Sequence, residues 1–434
     1  MKSESSGRFS RRDFLKSSAV AAGVIAGFPT IVPASVFGPV APSKLINMAL
    51  IGAGGRGLGD MNGFMGYPNV RMVAVCDLDR SRLERARTTV NTRYGDSACA
   101  VHSDFRELLA RADVDAVVIG TPENWHSLIT IAAAKAGKDI YCEKPFAPTI
   151  AEGRAAADAV RRYGRVLQVG SQERSRALGR CACELARNGR LGRIHTIRVN
   201  LPVDPHPSPP IDVQPVPEGF DYDMWLGPAP WAPYTPKRCH GSFRWILDYS
   251  DGELTDRGCH VGDLALWGGG FDRSGPVEIE GRAEFPPDGL YNTPFGYEIH
   301  AKFANGVKMI IQDIEPRGVK FEGDDGWVFY HVHEGNLDAS DQRLIREPIQ
   351  PGELHLYDNS NDHYGNFLSC IRSRKETIAP AEAGHRTASL CHLATIACIT
   401  GRKLKWDPAV ERFTNDDAAN NMVARAMRAP WRLA

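Results

Sequence analysis

The chain has 434 residues, more than one hydrophobic core usually serves, so we expect two domains preceded by a leader segment. Hydrophobic residues make up 43% and charged residues 24% of it, values typical of globular proteins that argue against disorder and against a coiled-coil fibre. The 52 basic residues equal the 52 acidic residues in number. Without a basic surplus the chain lacks the electrostatic signature of a nucleic-acid-binding protein, so we expect a small-molecule partner and no nucleic acid.

Residues 1–40 read as a targeting signal and linker. Ser10-Arg11-Arg12-Asp13-Phe14-Leu15-Lys16 precedes a mildly apolar, glycine-interrupted stretch from Ala19 to Val32, a pattern typical of twin-arginine (Tat) leaders. That stretch is too short for a stable membrane span, so we expect export to the periplasm and membrane contact only through export or a retained leader. Ala34 to Gly38 offers small residues but no clean Ala-x-Ala site, which leaves cleavage open.

From residue 44 onward the order is strand, glycine turn, helix and strand. The apolar run Ile46 to Ile51 is followed by Gly52-Ala53-Gly54-Gly55-Arg56-Gly57 and then by the apolar run Val70 to Cys76. This Gly-x-Gly-x-x-Gly spacing suits a dinucleotide, because the turn is tight, the backbone must approach a pyrophosphate, and the helix must pack closely on the strand. The residues that we assign to the phosphate site are Gly52, Gly54, Gly55, Arg56 and Gly57.

Asp77 ends the second strand, twenty residues after Gly57, where a carboxylate can accept hydrogen bonds from a ribose hydroxyl. The same carboxylate would repel a 2′-phosphate, so the sequence favours NAD over NADP. Arg80 and Arg82 follow at once, and either can pair with a phosphate, which leaves NADP as an open alternative.

Two more strand-helix units extend the pattern and predict an α/β fold whose N-terminal part is a doubly wound parallel sheet. The apolar strand Ala116 to Ile119 leads into Thr121-Pro122, and the strand Asp139 to Cys142 leads into Glu143-Lys144-Pro145. Ligands of such sheets bind outside the carboxyl ends of the strands. These segments should therefore converge with the glycine turn on one crevice.

With Glu143-Lys144-Pro145 the chain resembles the Gfo/Idh/MocA oxidoreductases, the family of glucose-fructose oxidoreductase and inositol dehydrogenase. Thr121-Pro122-x-x-x-His126 and the later Asp256-x-x-x-His260 with Asp263 match in the same order, so the resemblance spans roughly residues 44–410. It implies an NAD-binding Rossmann domain at 44–165 and an α+β substrate domain at 166–410, whose large, mostly antiparallel sheet also mediates homo-oligomers. Residues 411–434 are predicted to form a tail that packs on the body.

The resemblance also assigns roles to residues of this chain. It makes Lys144, His260 and Asp256 catalytic, and it places Asp263 at the substrate. Tyr364, at the start of a helix, is placed at the substrate pocket by the resemblance alone. The cofactor residues that it implies, besides the glycine turn, are Asp77, Thr121, Pro122, His126 and Glu143.

Elementary chemistry agrees with these roles. Oxidation of a secondary alcohol sends a hydride to the nicotinamide while a base takes the hydroxyl proton, and that base should titrate near the working pH. Histidine does so unaided, and lysine does so when it is desolvated or lies near another cation. If the stretch is helical, the four-residue step puts Asp256 and His260 on one face. Taken alone, Asp256 could instead be a helix cap, and His260 could be a structural histidine.

The second half carries a different pattern. Period-two runs at Ile194 to Val199, Tyr297 to Phe303 and Lys308 to Gln312 predict an antiparallel sheet with one covered face. A Pro-rich insert from Val203 to Pro236 departs from the best-known family members, and it overlaps the aromatic segment Phe220 to Trp245. We assign Arg244 and Trp245 to the substrate side, because rings stack on sugar faces and a guanidinium binds a hydroxyl or carboxylate; ordinary packing of the rings is the alternative.

No metal site is predicted, since His331 and His333 alternate on a strand without a third ligand at metal spacing.

Three functions are compatible with these patterns. The first is an exported sugar or polyol oxidoreductase with tightly bound NAD(H), because the Tat pathway exports folded proteins and free dinucleotide is not expected outside the cytoplasm. The second is an NAD-dependent glycoside hydrolase that works by oxidation, elimination, addition and reduction. The third is a non-catalytic sugar-binding member, against which the intact Lys144, Asp256 and His260 argue.

Overall fold

The computed structural model of the protein describes residues 45–203, 208–357 and 361–433. The predicted leader at 1–40 lies outside these residues. No helix in the described part of the chain is long and apolar enough to span a membrane.

Six parallel strands form the first sheet, in the order β3-β2-β1-β4-β5-β6. The strands are β1 (Ile46–Ile51), β2 (Val70–Cys76), β3 (Ala100–His102), β4 (Ala116–Ile119), β5 (Asp139–Cys142) and β6 (Leu167–Val169). The helices between them are α1 (Gly55–Met65), α2 (Arg80–Tyr94), α3 (Phe105–Leu109), α4 (His126–Lys135) and α5 (Ile150–Arg162). Because the strand order reverses between β1 and β4, a ligand crevice opens at their carboxyl ends. The predicted doubly wound sheet is confirmed.

The parallel sheet extends further along the chain than the boundary at residue 165 implies. Leu167–Val169 pairs in parallel with β5, and its three residues are too few to show a sequence period.

Nine strands form the second sheet, in the order β13-β12-β11-β7-β10-β9-β8-β14-β15. They are β7 (Ile194–Leu201), β8 (Glu278–Glu284), β9 (Phe295–Lys302), β10 (Lys308–Asp313), β11 (Gly318–Gly323), β12 (Gly326–His331), β13 (Leu337–Ala339), β14 (Leu404–Asp407) and β15 (Arg412–Phe413). All neighbours are antiparallel except β7 and β10. Inward residues are buried and outward residues are more exposed, which confirms the predicted mostly antiparallel sheet.

The remaining helices follow β6 in the chain, and some of them pack against this sheet. They are α6 (Ala177–Arg187), α7 (Tyr222–Leu226), α8 (Glu253–Asp256), α9 (Gly258–Gly269), α10 (Arg343–Arg346), α11 (His363–Ser373), α12 (Ala381–Thr400) and α13 (Asp417–Asn420). Among them α9 and α12 lie against the sheet and supply much of the core, since nearly all of their residues are buried. The short helix α8 leads directly into α9, and the two helices bring the side chains of Asp256 and His260 to the crevice of the first sheet.

The C-terminal residues return to the N-terminal part of the chain. Trp431 packs edge-on against Trp125, with ring centroids 4.7 Å apart. Arg425 donates a hydrogen bond of 2.7 Å from Nε to Glu152 Oε1 on α5. The tail therefore fixes the loop after β4, which borders the crevice.

Candidate active site

One elongated cavity runs along the carboxyl ends of β1, β2, β4 and β5 and encloses about 1650 Å³, its open mouth included. Residues from both halves of the chain line it. Those predicted from the sequence are Gly52, Gly54, Gly55, Arg56, Asp77, Thr121, Pro122, His126, Glu143, Lys144, Arg244, Asp256 and His260.

The glycine turn is shaped as a cradle that leaves no room for a side chain at Gly52 or Gly57. Gly52 has φ of +92°, in the left-handed region that favours glycine. A Cβ at Gly57 would lie 2.0 Å from the carbonyl oxygen of Gly52, so the third glycine allows α1 to pack on β1. A Cβ at Gly55 would meet nothing within 4 Å, which leaves open space at the start of α1, where a pyrophosphate fits.

Asp77 holds the turn and faces the same cavity. Its Oδ2 accepts a hydrogen bond of 2.6 Å from the backbone N–H of Ala53, and its Oδ1 accepts one of 2.8 Å from that of Asp79. Burial raises the pKa of Asp77, although these two backbone bonds oppose the effect. The Arg82 guanidinium lies 3.1 Å from the point where a Cβ of Gly54 would be, so it reaches over the turn. This geometry fits a ribose beside Asp77, with a cation close to it.

Arg56 ties α1 to the end of β5. Its Nε donates to Glu143 Oε1 at 2.9 Å, and its Nη2 donates to Asp60 Oδ1 at 2.6 Å. Gln172 also donates to Glu143 Oε1, at 2.9 Å. Burial, followed by Glu143, raises the pKa of Asp60 to about 8. The side chain of Arg56 is thus engaged by carboxylates beside the cavity, although the sequence assigned it to the phosphates.

His126 joins the loops that follow β4 and β5. Its Nδ1 lies 2.6 Å from the carbonyl oxygen of Pro145, and its Nε2 lies 2.8 Å from that of Thr121. The buried ring therefore fixes the backbone on either side of Lys144 and of the Thr121-Pro122 turn.

Lys144 and Asp256 form the closest ion pair in the cavity. Lys144 Nζ donates to Asp256 Oδ1 at 2.5 Å and to the Asp256 carbonyl oxygen at 2.7 Å. Both side chains are about nine-tenths buried. Burial acts to raise the pKa of Asp256, but Lys144 and then Arg244 outweigh it and hold the pKa well below its ordinary value. The carboxylate therefore stays ionised and fixes the direction of the Lys144 ammonium.

His260 lies one turn beyond Asp256, near the start of α9. Neither ring nitrogen hydrogen-bonds any residue that the structure describes, and Nδ1 is buried. Burial, followed by the charge of Lys144, lowers the pKa of His260 well below its ordinary value. The imidazole is therefore neutral at pH 7 and has a free lone pair, and its lowered pKa makes it a weaker base than an ordinary histidine.

Two family models match the chain. The model for the NAD-binding Rossmann fold of the GFO_IDH_MocA oxidoreductase family matches residues 46–171, and the model for the C-terminal alpha/beta domain of this oxidoreductase family matches residues 208–433. The chain belongs to the Gfo/Idh/MocA oxidoreductase family. The resemblance in the sequence motifs is confirmed.

Curated relatives match this family member over part of their length. A protein of Shewanella sp. (strain ANA-3) named glycosyl hydrolase family 109 protein 2 is 38% identical over 161 residues, which cover 33% of this chain and 35% of that protein. The uncharacterized oxidoreductase YrbE of Bacillus subtilis (strain 168) is 31% identical over 182 residues, which cover 42% of this chain and 51% of that protein. The chain thus spans between about a third and about a half of the length of these relatives.

Solved structures share the fold. The aldose-aldose oxidoreductase of Caulobacter crescentus, complexed with glycerol, has a TM-score of 0.61 at 20% identity and covers 83% of this chain and 99% of its own. The WlbA dehydrogenase of Bordetella pertussis, in complex with NADH and UDP-GlcNAcA, has a TM-score of 0.62 at 18% identity and covers 84% of this chain and 99% of its own. At these identities the likeness shows the fold alone.

The structure does not bring Asp263, which the resemblance places at the substrate, to the cavity. Asp263 is 1% exposed and lies away from the cavity, where its two carboxylate oxygens accept hydrogen bonds of 2.7 Å each from Arg174. Thr387 donates a third, of 3.0 Å. Asp263 lies one turn along α9 from His260, and its bonds to Arg174 and Thr387 hold it in the protein interior as half of a structural ion pair.

Two aromatic residues assigned to the substrate also lie outside the cavity. The Tyr364 hydroxyl donates to Asp60 Oδ1 at 2.8 Å, and its ring packs against Phe64 at a centroid distance of 4.8 Å. Trp245 packs on Tyr291 at 5.3 Å. Both rings complete apolar clusters next to the site, so packing decided their position.

The other rings of the aromatic segment Phe220 to Trp245 fall into two groups, those that line the cavity and those that lie outside it. Phe220, Trp225 and Phe243 line the cavity, whereas Trp231 is 67% exposed and lies outside it. Only some of these rings can therefore contact a ligand in the cavity.

Sequence reasoning missed Glu123, which stands within the Thr121-Pro122-x-x-x-His126 segment and lines the cavity. It is 2% exposed, and neither carboxyl oxygen makes a hydrogen bond of normal geometry with a described residue. Burial, and to a lesser degree Asp251, raises its pKa to about 8, although the Ser250 hydroxyl acts in the opposite direction. Its position between two motif residues was the signal that could have found it.

Among the described residues, no group of three or more His, Cys, Asp or Glu side chains is arranged to hold a metal ion.

Proposed function

We propose that this chain oxidises a secondary hydroxyl group of a sugar or polyol and that the hydride passes to a nicotinamide dinucleotide that stays bound to the protein. The observation that carries this proposal is the convergence of three groups on one cavity: the glycine cradle, the Lys144–Asp256 ion pair and the neutral His260. A dinucleotide cradle next to a proton acceptor is what an alcohol dehydrogenation requires.

The residues that hold the cofactor follow from the shape of the cradle. The open space at Gly55 and the N-terminus of α1 receive the pyrophosphate, and Asp77 faces the ribose. We propose NAD rather than NADP, because the Asp77 carboxylate disfavours a 2′-phosphate. When bound, the nicotinamide would supply the hydride acceptor, and Lys144 and His260 line the same cavity.

The chain's own residues manage the proton and the substrate oxygen. The neutral imidazole of His260 accepts the hydroxyl proton as the hydride leaves. The Lys144 ammonium, held by Asp256, retains an N–H that can donate to the substrate oxygen and stabilise the negative charge that develops there. Asp256 stays ionised throughout and keeps Lys144 in place.

Residues 217–241, here called the cover segment, support retention of the cofactor. The segment is bonded to the end of β2, with Arg80 N–H donating to Gly219 O at 2.9 Å and Asp221 N–H donating to Leu78 O at 3.0 Å. It is also bonded to the loop after β4, where Trp125 Nε1 donates to Trp225 O at 3.2 Å. Since Phe220, Trp225 and His240 line the cavity, a bound dinucleotide leaves slowly unless these contacts open.

A resident cofactor also agrees with the proposed location. We propose that the leader at residues 1–40 directs export of the folded, loaded protein, and that the protein works as a homo-oligomer. Outside the cytoplasm, a second sugar that accepts the hydride and a proton at its carbonyl group would return the cofactor to its oxidised form in place.

Two measurements test the proposal. Incubation of the purified full chain with a panel of sugars and polyols, with no added cofactor, should yield a ketone product two mass units lighter than one panel member. Mass spectrometry of the nucleotide released on denaturation should identify NAD. The proposal fails if the protein contains no dinucleotide and also binds none on addition.

A second candidate function is redox-neutral glycoside hydrolysis, and two observations favour it. The Shewanella relative is named as a glycosyl hydrolase of family 109. In addition, Glu123, whose pKa is raised to about 8, lines the same cavity as the neutral base His260, an acid and base pair suited to elimination. Release of the aglycone from aryl glycosides without added NAD would support hydrolysis, whereas a stalled keto-sugar with reduced cofactor would support oxidation.

A further inference from the structure

Three basic side chains converge on the single carboxylate of Asp256. Lys144 Nζ lies 2.5 Å from its Oδ1, while Arg244 Nη1 lies 3.4 Å and Arg257 Nε lies 3.6 Å from its Oδ2. All four residues line the cavity. The two arginine distances are too long for strong hydrogen bonds, so both guanidinium groups are attracted to Asp256 without being satisfied by it.

The other carboxyl groups near this end of the cavity do not balance the charge. Glu253 lies 3.5 Å from Arg257, and burial followed by Asp256 raises its pKa. Glu123 is held in its neutral form below a pH of about 8. Glu143 is engaged by Arg56, which is a cation of its own. Three cations therefore face two carboxyl groups, Asp256 and Glu253, and the region keeps a positive excess at neutral pH.

A fourth cation and its neighbours do not remove this excess. Arg317, at the start of β11, has a pKa lowered by burial and then by the charge of Arg257, so the two guanidinium groups are close enough to repel each other. Glu173 and Glu315 act on Arg317 in the opposite direction, and because Glu173 also pairs with Arg176 at 3.4 Å, these four charges cancel. The pair of Asp251 and His392 contributes one charge of each sign, since Asp251 overcomes burial and raises the pKa of His392 to about 9.

The guanidinium groups of Arg244 and Arg257 also have unused donors. Neither makes a side-chain hydrogen bond to a residue within the described part of the chain, and Arg244 Nε is buried without a partner. A guanidinium carries five N–H donors, and a buried donor left unpaired costs about 1–3 kcal/mol. The two side chains are 31% and 38% exposed, so water reaches part of each group, and the buried Nε of Arg244 is the donor for which a ligand oxygen would recover this free energy.

We propose that the substrate is a sugar acid, whose carboxylate binds between Arg244 and Arg257 while a secondary hydroxyl group faces His260 and Lys144. A carboxylate matches the planar donor forks of two arginines, and its single negative charge offsets the local positive excess. A phosphate would bring nearly two charges and would leave this end of the cavity negative. The inference rests on the proposed oxidation, and it adds the chemical class of the substrate.

Matched substrate pairs test this inference. The full-length protein with its bound cofactor is mixed with glucuronate and glucose, galacturonate and galactose, and gluconate and sorbitol, with glucose 6-phosphate as a separate arm. Reduction of the cofactor is followed at 340 nm, and the same pairs are run with Arg257→Met, Arg244→Met and Arg282→Met. Arg282 lies on the outer face of the second sheet, where it pairs with Glu298, and serves as the matched control.

The acid should exceed its neutral partner in the second-order rate constant of single-turnover cofactor reduction by about tenfold or more, the scale of one charge-assisted hydrogen bond. The preference should fall towards unity in Arg257→Met and Arg244→Met, because the acid binds more weakly, while Arg282→Met keeps it. Neutral sugars that match or exceed their acids, or a stronger response to glucose 6-phosphate, would overturn the inference and leave the proposed oxidation standing. If no compound in any arm reduces the bound cofactor, both the inference and the proposed oxidation are overturned.

Discussion

The two ends of the cavity hold their ligands by different means. At the nucleotide end, Gly52 and Gly57 leave out side chains so that backbone groups can approach one another and a phosphate. At the catalytic end, charged side chains from distant parts of the chain hold one another, with Lys144 and Asp256 as the central pair. The first end depends on local sequence spacing, and the second depends on how the two sheets bring β5 and α8 together. A substitution at the catalytic end should therefore lower turnover without removing the dinucleotide, whereas a substitution at the nucleotide end should affect dinucleotide binding.

The largest effect is expected from Gly57→Val, which breaks the nucleotide end. A Cβ there would lie 2.0 Å from the Gly52 carbonyl oxygen, and a β-branched side chain cannot relieve the overlap without moving α1 off β1. We expect a protein that misfolds or that folds without its dinucleotide, as judged by thermal unfolding and by the 260/280 nm absorbance ratio. The control is Gly59→Ala on the same helix, where a Cβ meets nothing within 4 Å, and it should be at least as stable as the wild type.

Asp263→Asn tests whether Asp263 contributes to the stability of the fold and not to substrate binding. It leaves Arg174, which is 1% exposed, without its carboxylate partner, and breaking such a buried pair costs about 3–5 kcal/mol. We expect a lower free energy of unfolding, measured by denaturant titration, with KM unchanged in the folded enzyme. Asp158→Asn, at an exposed ion pair with Arg161, should change stability by less than about 1 kcal/mol. A raised KM in Asp263→Asn would restore Asp263 to the substrate site.

His260→Ala and Lys144→Ala break the catalytic end alone. Loss of a general base or of its partner should lower kcat by about a hundredfold or more. Because neither side chain belongs to the glycine cradle, the amount of dinucleotide that co-purifies should stay near the wild-type value. Steady-state kinetics and the absorbance spectrum measure the two quantities in the same preparation. Wild-type turnover in both variants would refute the catalytic assignment.

The smallest expected effect is the pH dependence of stability at Glu123. Its pKa is raised from 4.5 to about 8 in the folded protein, so the folded state binds this proton more tightly than the unfolded state. The stabilisation is complete below the unfolded pKa and is lost as the pH rises through about 8. Glu123→Gln cannot lose a proton, so its Tm relative to the wild type should rise between about pH 5 and about pH 8. A difference in Tm that is independent of pH would contradict the assignment of a neutral carboxyl group.

Sequence reasoning succeeded where function depends on local spacing. The glycine turn, Asp77 and the Lys144 motif each follow directly from a strand, and parallel strands bring their carboxyl ends to one edge, so a single crevice could be predicted. The Asp256–His260 step was also predicted, although the chain breaks between α8 and α9 and the two residues do not share one continuous helix. Their four-residue spacing nevertheless places both at the cavity.

Prediction failed where a long-range partner decides the direction of a side chain. Asp263 has the correct spacing for the site, but Arg174, which lies 89 residues away in sequence, draws it into the interior. Tyr364 is drawn to Asp60 across 304 residues in the same way. Arg257 escaped notice for the opposite reason, because nothing local marks a guanidinium that lacks a full partner, and the only local sign of Glu123 was its position between two motif residues. Such residues are identified by tertiary burial and charge.

We propose that one cavity joins a resident dinucleotide to a proton acceptor, and the absorbance of the unsupplemented protein tests this most directly. We predict that the purified full chain shows bound nucleotide near 260 nm and that excess of a suitable sugar or sugar acid produces about one equivalent of reduced nicotinamide at 340 nm per chain, without added cofactor. A protein that carries no nucleotide, binds no NAD on addition and gives no signal at 340 nm with any sugar would contradict the account.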